Sequence, residues 1–146
     1  MVAWKTETNF NNEIQTALII SQDAEMVSVW EALFQQKNCN VVSESSPREA
    51  VQTARLLVPS LIVLDLHLPH QELLALCHEI RTTTRGTILL LAPWRNEKEV
   101  FDYHKAGVDE HLATPISPMG LLIKSMAWLA RQEWIVPPDQ PAQIYA

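Results

Sequence analysis

The feature that most narrows the possible folds is a regular alternation of two apolar patterns. Runs of strand length occupy residues 16–20, 40–42, 61–64, 87–91 and, weakly, 110–112. Stretches of helical periodicity follow them at 24–36, 47–57, 71–83, 96–106 and 118–131. Strands separated by whole helices cannot pair through hairpins, so the helices act as crossovers. Uninterrupted apolar strands such as LIVL and ILLL suit a parallel sheet covered on both faces. The expected fold is a three-layer α/β sandwich of five strands and five helices.

Punctuation agrees with this alternation. Asp23 is placed to cap the first helix, Ser46-Pro47 opens the second with proline at its first position, and Gly107 follows the fourth as a terminating glycine. The expected organisation is an arm over residues 1–13, which Trp4 and Phe10 could anchor, and one domain over 14–132. A proline-rich tail or linker, EWIVPPDQPAQIYA, follows it. No internal repeat or low-complexity run is present.

Composition excludes several functions. With 47% hydrophobic and 19% charged residues, the chain is too apolar for disorder. A formal charge of −6 without a Lys/Arg cluster gives no footprint for a phosphate backbone, so no nucleic-acid binding by this chain is expected. Cys39 and Cys77 stand alone, outside any CxxC or ligand spacing, and no signal or apolar span of about 20 residues is present. A cytoplasmic location, no membrane contact and buried, reduced thiols follow. The three glycines form no phosphate-cradling loop, which disfavours nucleotide or flavin. His67, His70, His78 and His111 match no metal-ligand spacing.

In open parallel sheets, functional groups collect at the carboxyl ends of the strands. Strand three ends on Asp65. The other strands are followed there by Ser21, Gln22 and Asp23, by Ala92 and Pro93, and by Ala113, Thr114 and Pro115. LIVLDLHLP at 61–69 resembles the phosphoacceptor segment of response-regulator receiver domains. AGVDEHLATP at 106–115 is similar to their AGADDYLxKP stretch. The resemblance spans roughly residues 16 to 131. It implies a CheY-like, flavodoxin-like doubly wound sheet of order 2-1-3-4-5, with Asp65 at the phosphoacceptor position.

Matched position by position, the rest of that family's chemistry is missing. The acid pair that holds Mg²⁺ is matched by Ser21 and Gln22, the Thr or Ser after strand four by Ala92, the Lys by Thr114, and the aromatic switch residue by His111. His67 flanks the site. Mg²⁺ wants carboxylate oxygens, and here Asp65 is the sole certain anionic ligand, with Asp23 one residue beyond the pair. The expectation is a pseudo-receiver that signals through protein contact, with no cofactor and no catalytic residue. The alternatives are a receiver phosphorylated on Asp65 by a histidine kinase, with Asp23 and Thr114 as substitutes, and a small-ligand or redox module. The resemblance also implies that Thr114-Pro115 keeps a cis peptide.

On the last helix, Met119, Leu122, Ile123, Met126, Ala127, Leu129 and Ala130 share one wide face, read as the core. Leu121 and Trp128, beside Lys124 and Arg131, are read as an exposed contact pair. The resemblance implies that dimer or target contacts lie on the face of helix four, strand five and helix five.

Overall fold

The computed structural model describes residues 15–133. Ten elements alternate without exception: β1 (Gln15–Ser21), α1 (Ala24–Gln35), β2 (Cys39–Glu44), α2 (Pro47–Leu57), β3 (Leu61–Asp65), α3 (His70–Arg81), β4 (Thr87–Ala92), α4 (Glu97–Lys105), β5 (Glu110–Ala113) and α5 (Pro118–Glu133). The sheet is parallel throughout, in the order β2-β1-β3-β4-β5. This is the flavodoxin-like arrangement expected from the sequence. The arm at 1–13, with Trp4 and Phe10, and the tail residues Trp134 and Tyr145 lie outside the described residues.

Strand alternation divides the core in two. Leu18, Ile62, Leu64, Ile88 and Leu90 face α2, α3 and α4. Ala17, Ile19, Val63, Leu89 and Leu91 face α1 and α5. Both faces are apolar because both are covered, which explains why the strands read as unbroken hydrophobic runs. Cys39 and Cys77 are buried free thiols. Burial pushes the Cys77 thiol up to about 12 and raises that of Cys39. No helix among the described residues is long and apolar enough to cross a membrane.

The helix ends follow their local chemistry. Asp23 Oδ1 accepts from Met26 N at 3.1 Å, and Asn96 Oδ1 from Glu99 N at 2.9 Å. Ser46 Oγ accepts from Glu49 N at 3.3 Å and donates to Glu49 Oε1 at 3.0 Å, ahead of Pro47. Gly107 has φ +109°, where a Cβ would meet Arg81 Cγ and Cδ at 2.7 Å. Thr114-Pro115 is cis.

The face assignment on α5 holds in part: Leu122 and Leu129 are buried and Met126 packs, partly buried, against the same core, as expected. The buried face is turned from the expected one, so that Leu121 is 0% exposed, whereas Ile123 is 65% and Met119 54% exposed, with Ala127 and Ala130 also outside. Ser125, fully buried, lies near the centre of the inward face. Packing on the sheet sets the rotation of the helix, which periodicity alone does not fix.

Candidate functional site

β1 and β3 are neighbours in register, and their last residues, Ser21 and Asp65, are direct partners. Ser21 Oγ donates to Asp65 Oδ2 at 2.8 Å and accepts from Asp23 N at 3.1 Å. The hydroxyl is buried and fully engaged. Asp65 is half-buried and opens onto a cavity of about 280 Å³ lined also by Gln22, Asp23, His67 and Thr114. The fold thus brings five of the positions singled out around Asp65. No Lys or Arg lines that cavity among the described residues.

These donors do not fit Mg²⁺. One carboxylate oxygen of Asp65 is held by Ser21, and one of Asp23 caps α1 through Met26. Ser21 and Gln22 add only neutral oxygens, and the described residues contain no group of three or more His, Cys, Asp or Glu able to hold a metal.

Ala92 lies apart from this cavity and lines a second one, of about 260 Å³, with His67, His70, Arg95 and Tyr103. Its carbonyl oxygen accepts from Thr114 N at 3.1 Å and from His111 Nε2 at 2.7 Å. His111 is thereby turned inward. Its ring centroid lies 5.3 Å from that of Tyr103, which in turn lies 5.6 Å from that of His70. His70 Nε2 is 3.2 Å from Asp102 Oδ2, and its Nδ1 is 4.0 Å from Glu99 Oε2. A ring ladder therefore joins the start of α3, the inner side of α4 and β5. The hydrogen bonds from His70 and Lys98 lower the Asp102 pKa. Burial, then the charge of Glu99, raises that of Tyr103.

Trp128 and Leu121 take no part in this constellation. Trp128 is half-buried, and its Nε1 donates to Glu110 Oε1 at 2.8 Å while Lys124 Nζ donates to Glu110 Oε2 at 2.9 Å. Arg131 stacks 4.8 Å above the indole. The cations read as the rim of a contact site instead satisfy groups within the chain. Burial of Glu110 pushes its carboxyl up, but the bonds from Trp128 and Lys124 outweigh it, and the net pKa is lowered.

Sequence reasoning missed the ring ladder because its members come from three elements, and only folding sets them together. It missed the Arg81 clamp for the same reason. Arg81 donates to the carbonyls of Gly86, Thr84 (2.7 Å) and Gly107 (3.1 Å), and pairs with Asp109 at 3.1 Å. The Asp in the AGVDEH segment was the one available signal for that contact.

Comparison with known proteins gives a consistent answer. A family model described as the response regulator receiver domain matches residues 17–125. The DNA-binding response regulator MtrA of Mycobacterium leprae is 23% identical over 130 residues, covering 89% of this chain and 56% of that protein. Protein PetR of Rhodobacter capsulatus is 36% identical over 87 residues, covering 58% of this chain and 37% of that protein. The chain spans about half the length of the curated relatives it matches, or less. Among solved structures, a CheY-like receiver domain protein from Methanospirillum hungatei superposes with a TM-score of 0.73 at 19% identity, covering 83% of this chain and 98% of that one. A two-component response regulator from Clostridium difficile gives 0.72 at 22% identity, covering 81% and 98%. At such identities the structures speak for the fold alone.

Proposed function

This chain belongs to the response regulator receiver domain family, a signalling module of two-component systems, and on that premise we propose that it works as a pseudo-receiver, through protein contact largely without phosphorylation of Asp65. The observation that carries the reading is the engagement of Asp65 by the buried Ser21 hydroxyl, at the position where an anionic metal ligand would be needed. Phosphoryl transfer depends on neutralising charge over the phosphoryl oxygens, which falls to a metal and fixed cations. Each missing preorganised donor costs about 3 kcal/mol of barrier. With the acid pair and the Lys both replaced, modification of Asp65 is slowed by several powers of ten.

The contact surface in this reading is the outer side of α4, β5 and α5. On that side Trp128 and Lys124 of α5 meet Glu110 of β5, and Phe101 is the exposed apolar side chain of α4; Leu121 is buried and takes no part. The ring ladder supports a face held by contacts within the chain.

Incubation with acetyl phosphate and millimolar Mg²⁺ tests the proposal, with intact mass as readout. No adduct is expected. Stoichiometric labelling that disappears in Asp65→Asn would overturn it and establish the second reading, a receiver charged by a histidine kinase. What favours that second reading is the open cavity beside Asp65, with Thr114 and His67 on its wall.

A further inference from the structure

Helices α2 and α3 lie side by side on one face of the sheet, burying Val51 and Ala54 from the first and Leu73 and Leu76 from the second. Each runs back from a parallel strand, so the two point the same way. Between them lies a groove of about 550 Å³ with Val51 and Leu76 at its base. One wall carries Arg48 and Arg55, the other Glu72 and Glu79. Members of each pair are two helical turns apart, so each wall shows a single sign of charge over about 10 Å. All four side chains are exposed, and none belongs to an ion pair among the described residues. Below them, Leu56 stands 83% exposed, one turn beyond the groove residue Gln52 and on the same side of α2.

We propose that this groove is a self-complementary interface joining two copies of the chain about a two-fold axis that runs along it. Such an axis exchanges left and right between facing copies and preserves helix direction. It therefore sets α2 of each copy against α3 of the other, with Arg48 opposite Glu72 of the second copy and Arg55 opposite its Glu79. Symmetry makes four such pairs and no like-charge contact. An axis across the groove would oppose arginine wall to arginine wall. A foreign partner would need the same two-signed pattern at the same seven-residue spacing, which the chain already carries. Charge pairs at such a surface fix orientation and register more than affinity, so the dimer weakens as salt rises. The interface uses neither Asp65 nor the α4–β5–α5 face, and its fate is independent of whether Asp65 is modified.

Sedimentation velocity on the whole chain tests this, comparing the wild type, Arg48→Glu/Arg55→Glu and Glu72→Arg/Glu79→Arg at low and high salt. Circular dichroism reports that the exposed substitutions leave the fold intact. The wild type should dimerise in the micromolar range at low salt, and each double variant alone should associate at least about 100-fold more weakly. The two variants mixed should form a one-to-one heterodimer, since every facing pair is then opposite in sign. A monomeric wild type would overturn the proposal. So would a dimer indifferent to both reversals, or a mixture that fails to associate.

Discussion

At the level of single side chains, the chemistry turns on what Asp65 can reach. Its neighbour across the sheet is a hydroxyl that donates, where a metal site would need a second anion. Replacing Ser21 and Gln22 by aspartate should therefore create Mg²⁺ affinity that the wild type lacks. Trp30 lines the same cavity, so its fluorescence should titrate saturably in the double variant and stay flat in the parent. Metal binding by the parent would contradict the donor analysis. Glu110 gives a pH prediction. Its pKa is held below the ordinary 4.5 in the folded state, so its contribution to stability is complete above that value and fades as pH falls through the lowered one. Glu110→Gln should flatten that acid limb of urea-midpoint against pH. Trp128→Phe, which keeps an aromatic side chain but loses the indole N–H donor, should cost about 1 kcal/mol or more.

At the level of elements, α5 shows how far periodicity can be trusted. Its apolar residues cover so wide an arc that Leu122 and Leu129 can be grouped either with Met119 and Ile123 or with Leu121, and hydrophobicity alone cannot decide which grouping packs on the sheet. The structure buries Leu121 with Leu122 and Leu129, bringing Trp128 and Lys124 onto Glu110 at the start of β5. Leu121→Ala should destabilise by about 2–5 kcal/mol by opening a cavity, while Ile123→Ala should change stability by less than about 0.5 kcal/mol. Equal effects in chemical denaturation would return the helix to the face read from sequence. The α4–β5 turn was easier to read, because Gly107 alone suits a φ of +109° packed on Arg81. Gly107→Ala should cost more than about 1 kcal/mol.

At the level of the whole molecule, burial governs both thiols, since Cys39 and Cys77 sit in opposite halves of the core. A thiol raised to about 12 and shielded from solvent reacts only when the domain opens. Labelling of Cys77 by a disulfide reagent should thus track global unfolding across a denaturant series, and fast labelling under native conditions would contradict that burial. The strand and helix alternation, the caps at Asp23 and Ser46 and the glycine at 107 were readable along the chain because each depends on neighbours within a few residues. The place of Asp65 at the carboxyl edge of a parallel sheet followed from the same alternation, and the 2-1-3-4-5 order from the resemblance of LIVLDLHLP and AGVDEHLATP to receiver domains. Folding alone decided which hydroxyl holds Asp65, which stripe of α5 is inward, and how His70, Tyr103 and His111 come to stack. Those contacts join residues from different elements, and their energies depend on distances and orientations that no linear spacing encodes.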